Sequence, residues 1–448
     1  MSIETKRKEK LALFGGPKAV TKDPEDIFTW PIITKEDEDA ALELLRRGAM
    51  SGMNVTMAFE KEFTAWQGTR HALGFSTGTA ALQAAMFGCK VGVGDEIIAP
   101  SVTYWATCLP AFSLGATVVF AEIDPETLCL DPADIEHRIT ERTRAIVPVH
   151  YMGYPAEMDA IMAVAEKHGL KVIEDVSHAH GGLYKGRKVG AIGHVGAMSL
   201  MSGKALAAGE AGMLATDDRE IYDRALAWGH YSRFQPDNVD TEYLKPWAGL
   251  PLGGTKYRMH QISAAVGRVQ LRHYDERAAE IRKAMNCFWD FLEGVPGLRA
   301  HRVPADTGSH MGGWYAPAGL YRSEELGGLS VTRFCEAVRA EGGTAYPGVN
   351  KPLHLHPIFN DIDIYGHAKP TRIAHADRDV RQAKGSLPVS EAIHERTYNI
   401  PWFKRFRPEI IEEYAAAFRK VAENFEALLK DDPGNPAEAG SWGLFRRA

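Results

Sequence analysis

At 448 residues, with 45% hydrophobic and 25% charged side chains, the chain has a globular composition and the length for two or three domains; disordered, collagen-like and coiled-coil classes are excluded. The net charge of −6, from 52 Lys+Arg against 58 Asp+Glu, offers no basic excess for nucleic acid or an anionic membrane. Five cysteines (Cys89, Cys108, Cys129, Cys287 and Cys335) make an odd count with no C-x-x-C pair, which fits reduced thiols in the cytoplasm better than disulfides or a zinc ribbon.

Residues 1–40 read as an arm, with Gly15-Gly16-Pro17, charge clusters and little periodicity. The apolar stretch Leu11–Phe14 is too short for a signal-peptide core, and no run of ~20 apolar residues predicts a membrane span. Helices are predicted over 35–47 and 54–66. From 72 to 217 the pattern becomes α/β. Apolar strand-like runs fall at 96–99, 117–123, 144–149, 170–174, 197–201 and 212–215. Helical stretches at 79–89, 105–112 and 158–168 separate the early ones. This alternation predicts a mostly parallel sheet covered on both faces, with ligands at the carboxyl ends of its strands. Residues 257–292 read as one long helix, since Met259, Ile262, Ala265, Val266, Val269 and Leu271 approximate a 3.6-residue face. The expected division is an arm at 1–40, a large domain at 41–297, a smaller α+β domain at 298–430 ending in a helix at 408–429, and a loose tail at 431–448.

Three motifs carry chemistry. In Gly74-Phe75-Ser76-Thr77-Gly78-Thr79-Ala80-Ala81-Leu82 a strand end meets a small-residue turn and a helix, where free N–H groups beside hydroxyls bind phosphate. An ordinary Thr N-cap would read the same way, and no Lys follows to make a P-loop. In Leu170-Lys171-Val172-Ile173-Glu174-Asp175-Val176-Ser177-His178-Ala179-His180 a strand ends in an acidic pair, of which only one member can face the ligand side. Its carboxylate could hold a metal, a ribose or a protonated ring nitrogen, or simply cap a helix. In Met198-Ser199-Leu200-Met201-Ser202-Gly203-Lys204-Ala205-Leu206-Ala207-Ala208 a lone Lys lies among small and apolar residues. Such a lysine becomes a neutral, nucleophilic amine if buried, and is unremarkable if it sits on a surface loop. Taken in order on one parallel sheet, a phosphate cup, a strand-end Asp and a desolvated Lys fit one cofactor, pyridoxal 5′-phosphate (PLP).

With those residues in place, the chain resembles the DegT/DnrJ/EryC1/StrS family of PLP-dependent sugar and aminocyclitol aminotransferases, over about residues 27–428. Its carriers are Ser-Thr-Gly-Thr-Ala-Ala-Leu at 76–82, Pro-Ser-Val-Thr-Tyr-Trp-Ala-Thr at 100–107 and Ile-Glu-Asp-Val-Ser-His-Ala-His-Gly at 173–181. Tyr-Lys-Gly-Arg-Lys-Val-Gly at 184–190, Gly-Glu-Ala-Gly at 209–212, Tyr-Arg-Met at 257–259 and Leu-Pro-Val-Ser-Glu at 387–391 complete the series. The resemblance implies the fold-type I architecture: a mostly parallel central sheet in a large domain, with a smaller α+β carboxyl-terminal domain. It implies Lys204 as the Schiff-base lysine and proton carrier, with Asp175 on the pyridinium nitrogen. Gly78, Thr79 and Ser199 would take the phosphate, Tyr104 would stack on the ring, and His178 would meet the phenolic oxygen. Lys256 would reach the phosphate from a neighbouring subunit of a homodimer. Two positions depart from the pattern: many members carry Asn where Lys256 stands, and Gly-Glu-Gly-Gly is the commoner form of Gly-Glu-Ala-Gly. No metal is expected; His354 and His356 read as structural or substrate-side groups, and Arg233 as either a donor-carboxylate partner or a surface residue.

The implied reaction moves an amino group from an amino acid, Glu or Gln, to a keto-sugar or keto-cyclitol. A nucleotide-linked keto-sugar is the alternative acceptor, and a non-catalytic regulatory relative that keeps the fold is the alternative class. Retention of Asp175 and Lys204 argues against the latter. His260 after Tyr-Arg-Met and the extended arm lean toward a cyclitol or small sugar.

Overall fold

A computed structural model of the protein describes residues 9–436. Its strands run, in chain order, β1 (His71–Phe75), β2 (Glu96–Pro100), β3 (Thr117–Ala121), β4 (Thr143–Ile146), β5 (Lys171–Asp175), the hairpin β6 (Leu183–Tyr184) and β7 (Arg187–Lys188), β8 (Val195–Ser199) and β9 (Gly212–Thr216). Seven of these form one sheet in the order β1-β9-β8-β5-β4-β2-β3. All seven run parallel except β9, which is antiparallel to both its neighbours. Strands β2, β3 and β9 are buried at every position, which explains their unbroken apolar runs. Alternate side chains feed two cores. Ile98, Val119, Ile146 and Val172 enter one face, while Ile97, Val118, Ala145 and Ile173 enter the other.

A second, antiparallel sheet pairs β10 (Leu298–Ala300), β11 (Ala318–Tyr321), β13 (Thr397–Asn399) and β12 (Tyr346–Pro347) in that order. The long helix Gln261–Phe291 joins the two units. Its first half packs Ala264, Leu271 and Tyr274 on the large sheet's core; its second half packs Phe288 and Trp289 with Phe334, Tyr398 and Phe418 of the smaller unit. No helix among the described residues is long and apolar enough to cross a membrane.

Several elements differ from their predicted extents for identifiable reasons. The long helix starts at Gln261 rather than at 257, because Tyr257–Met259 runs along the end of β1: Ser76 N–H donates to Tyr257 O at 2.8 Å and Phe75 bridges Arg258. His260 then caps the helix, its Nδ1 accepting from Ile262 N–H at 3.3 Å. The helix expected at 105–112 is a 3-10 turn, Trp105–Thr107, followed by Pro110–Ser113, since Pro110 can begin a helix but not continue one. The last predicted helix splits into Pro408–Glu423 and Glu426–Leu429. Helix Arg219–Gly229, capped by Asp218, was not predicted at all. The tail is not loose where it is described: Asp432 accepts from the Ser330 N–H and hydroxyl, and Asn435 from those of Thr332. Residues 437–448, also placed in that tail, lie outside the described residues. The arm is likewise fastened, with Leu11 and Ile27 buried in the core of the smaller unit and the Ala12 and Ala19 N–H groups on the Glu341 carboxylate.

Candidate active site

The carboxyl ends of β5 and β8, the segment between β8 and β9, the chain after β2 and the turn after β1 converge on a cavity of about 280 Å³. It gathers Gly78, Thr79, Tyr104, Asp175, His178, Ser199 and Lys204 from widely separated segments. Lys256 is not among its lining residues; it is exposed on the chain before the long helix.

Helix Gly78–Gly88 opens on the cavity. Thr77 caps it, its hydroxyl accepting from Ala80 N–H at 3.1 Å. The Gly78 and Thr79 N–H groups of the first turn are left pointing outward from the helix start, at the positive end of its dipole. Both flanking glycines are imposed by close packing. A Cβ on Gly78 would lie 2.6 Å from Ser199 Cα, and one on Gly212 would lie 2.2 Å from the Thr77 carbonyl oxygen.

The acidic pair at the end of β5 divides as strand geometry requires. Glu174 faces away from the cavity, meeting His150 Nε2 at 3.0 Å and accepting from the Gly190, Ile192 and Gly193 N–H groups. Burial alone would raise its pKa, but these partners outweigh it and hold the carboxyl below its ordinary range. Asp175 faces the cavity. Thr107 donates its hydroxyl to one oxygen at 2.8 Å, and Ser177 donates its N–H to the other at 3.0 Å. The Ser199 N–H in turn donates to Ser177 Oγ at 3.0 Å, and Ser199 Oγ accepts from Met201 N–H at 3.3 Å.

Lys204 is only 8% exposed and makes no ion pair among the described residues. Burial pushes its pKa down to about 7, against the opposing pull of the Asp175 charge. Its Nζ sits 4.0 Å from the centre of the Tyr315 ring. His178 lies 4.7 Å from the same ring, centre to centre. Burial, then the Lys204 charge and His180, hold His178 well below its usual pKa, so the imidazole is neutral. Its Nδ1 accepts from Met152 N–H at 3.3 Å, which leaves the ring proton on Nε2.

Sequence reasoning missed Tyr315, Thr107 and Ser177 as site residues. The latter two stand inside motifs that were already singled out, each within reach of a strand end. Tyr315 had no motif, and its only signal is structural: Trp314 and Ala316 on either side both have positive φ, at 53° and 51°. Arg233 is neither free nor a surface residue. It forms a bidentate pair with buried Glu60, both contacts 2.8 Å. His354 is fixed between Ser101 Oγ at 2.7 Å and Glu391 at 3.0 Å, and His356 caps a short helix through Ile358 N–H.

Open first-turn amides, a strand-end carboxylate fixed by two donors and a neutral amine in one cavity match the phosphate, ring nitrogen and aldehyde of PLP. That combination defines the class of enzymes that hold PLP on a lysine. The family model of the DegT/DnrJ/EryC1/StrS aminotransferases matches residues 31–419, so the chain belongs to that family and is a PLP-dependent aminotransferase. It is 34% identical over 378 residues to the L-glutamine:2-deoxy-scyllo-inosose aminotransferase of Streptoalloteichus tenebrarius, an alignment covering 82% of this chain and 87% of that one. It is 32% identical over 436 residues to the L-glutamine:scyllo-inosose aminotransferase of Streptomyces griseus, covering 94% and 99%. Among solved structures, an aminotransferase from Psychrobacter cryohalolentis superposes with a TM-score of 0.76 at 27% identity, covering 89% of this chain and 99% of that one.

Proposed function

We propose that the protein transfers an amino group from an amino acid, with L-glutamine the favoured donor, to a keto-cyclitol or small keto-sugar. The observation that carries this reading is the buried Lys204 amine, its pKa lowered by burial, sharing one cavity with Asp175 and the open first turn at Gly78. The two cyclitol aminotransferases named above support the donor and acceptor classes.

The residues have separate tasks in this reading. The Gly78 and Thr79 N–H groups and the Ser199 hydroxyl hold the PLP phosphate. Asp175, kept in place by Thr107 and Ser177, pairs with the ring nitrogen. His178 offers its Nε2–H to the phenolic oxygen, and Tyr104 covers the ring. The chemistry supplied by bound PLP is an electron sink for the carbon bearing the transferring amine. Lys204 would take the proton from the donor's α-carbon and return it to the carbon on the other side of the transferring nitrogen, a role that needs its amine neutral near pH 7. The buried wall around Tyr315 keeps water from that proton. In the second half of the cycle the same groups deliver the amine to the acceptor carbonyl.

The wider assignment treats 41–297 as the cofactor domain and 298–430 as the smaller one, with helix Gln261–Phe291 shared between their cores. The exposure of Lys256 supports a homodimer in which it completes the phosphate site of the partner. A cytoplasmic location is supported by five cysteines of which none is paired among the described residues.

A two-stage screen tests the reading. Amino donors are scored by loss of the protein's visible cofactor absorbance, then keto-acceptors by its return. L-Glutamine should bleach the band, and a keto-cyclitol should restore it faster than a nucleotide-linked keto-sugar. Bleaching that only a nucleotide-linked sugar reverses would move the acceptor class.

A further inference from the structure

One side chain of the arm reaches the backbone of Lys204. The Trp30 indole Nε1–H donates to the Lys204 carbonyl oxygen at 2.8 Å, across 174 residues of chain. Lys204 stands in no helix or strand, but in the irregular segment between β8 and β9. That segment is pinned on both sides of Lys204 by its own backbone: Lys204 N–H donates to Met201 O at 2.8 Å, and beyond it Ala208 N–H donates to Leu200 O at 2.7 Å. The peptide plane that follows Lys204 takes its orientation from Trp30.

Trp30 is itself held from both sides. Lys404 N–H donates to Ile27 O at 2.8 Å, and Gln270 Nε2 donates to Ile32 O at 3.0 Å. Its ring lies 5.9 Å from that of Trp402, whose own Nε1–H is fixed on Gly313 O at 3.0 Å. Trp402 meets Tyr315 edge-on at 5.6 Å, and Tyr315 faces the Lys204 amine at 4.0 Å. One aromatic group, drawn from the arm and the smaller unit, therefore bears on Lys204 at its carbonyl and at its amine.

We propose that Trp30 is a positioning residue for Lys204: its indole N–H fixes the backbone from which the amine must reach both carbons between which it moves the proton. The proposal rests on the reading of Lys204 as the transamination lysine. A lysine whose backbone can rotate spends less time within proton-transfer distance, and a misplacement of about 1 Å costs roughly 10²-fold in rate. The arm is then part of the catalytic apparatus, although it contributes no group to the cavity.

Trp30→Phe keeps an aromatic ring beside Trp402 and removes the donor, together with the second ring of the indole. Its kcat should fall roughly tenfold to a hundredfold, with the KM for L-glutamine within about twofold of wild type. A second readout needs neither cofactor nor turnover. Cofactor-free protein is treated with acetic anhydride across pH, and acetylation of Lys204 is followed by peptide mass spectrometry. Loosening the segment admits water to the amine, so the midpoint of Lys204 reactivity should rise in Trp30→Phe toward that of an ordinary lysine. A merely structural arm would lower the melting temperature and leave that midpoint in place. Trp30→His, which retains a ring N–H, should stay near wild type. A folded Trp30→Phe protein with wild-type kcat and midpoint overturns the proposal, as does a folded Trp30→His protein that matches Trp30→Phe in both readouts. If Trp30→Phe does not fold, Trp30→Met, which fills the site without a donor, takes its place: a raised midpoint supports the proposal and an unmoved one overturns it. A wild-type midpoint already near the ordinary lysine value would instead defeat the assignment of Lys204.

Discussion

Two lysines, Lys204 and Lys404, are driven by burial to a pKa of about 7, and only one of them faces chemistry. Lys404 donates to Trp402 O at 3.0 Å and lies over the Trp402 ring, outside the cavity. Lys204 shares its cavity with a fixed carboxylate. Its depressed pKa has a thermodynamic sign. The folded protein releases this proton near pH 7 while the unfolded chain keeps it to about 10.5, so stability rises with pH across that window. Cofactor-free Lys204→Met should therefore melt several degrees above wild type at pH 6, with the gap closing as pH approaches about 10; calorimetry at several pH values checks this. The two acids of β5 should separate just as clearly. Asp175→Asn should cut transamination at least about a hundredfold while the melting temperature stays near wild type. Glu174→Gln should cost about 1–3 kcal/mol of stability, since at least one of three backbone donors loses its charged acceptor. Chemical denaturation beside steady-state assays distinguishes the two outcomes.

The strands were legible because both faces of the sheet are covered, which makes each a short apolar run bounded by polar residues. Hence β2, β3, β5 and β9 lie within two residues of their predicted ends. Legibility failed where tertiary pairing overrode local pattern. Tyr257–Met259 carries a helical apolar phase, yet it pairs with the end of β1. The motif residues were readable for a related reason: each sits within a few positions of a strand end. Tyr315 and Trp30 were not, because their link to Lys204 crosses more than a hundred residues and leaves no local spacing. At this scale the tight constraint beside the cavity is the approach of β9 to the turn before Gly78. Gly212→Ala would place a methyl 2.2 Å from Thr77 O. It should push the turn before Gly78 off the sheet and, on the proposed reading of that turn as the phosphate site, weaken PLP binding at least about tenfold, read by equilibrium dialysis, with a loss of thermal stability.

Across the molecule, the cavity is assembled from the large sheet and the smaller unit's Tyr315, and the arm's Trp30 reaches it only through the Lys204 carbonyl. The helix Gln261–Phe291 keeps these in register by contributing to both cores. The arm expected at 1–40 is fastened, over its described residues, through Glu341, Glu413 and Lys404 to the smaller unit. The dimer of the proposed function has its own test at this scale. Lys204→Ala and Lys256→Ala are each expected to be nearly inactive alone. Mixed and reassociated, they should regain about a quarter of wild-type activity, because half of the dimers are then mixed and each of these has one intact site. Activity that stays at the level of the parent variants would place Lys256 outside the partner's site. The central claim is that Lys204 is the residue that carries PLP. Loading the purified protein with PLP, reducing it with borohydride and mapping the labelled peptide tests that most directly. The account predicts a pyridoxyl group on Lys204, and its loss when L-glutamine is added before the reductant. Label on Lys404, or on no lysine, would contradict it.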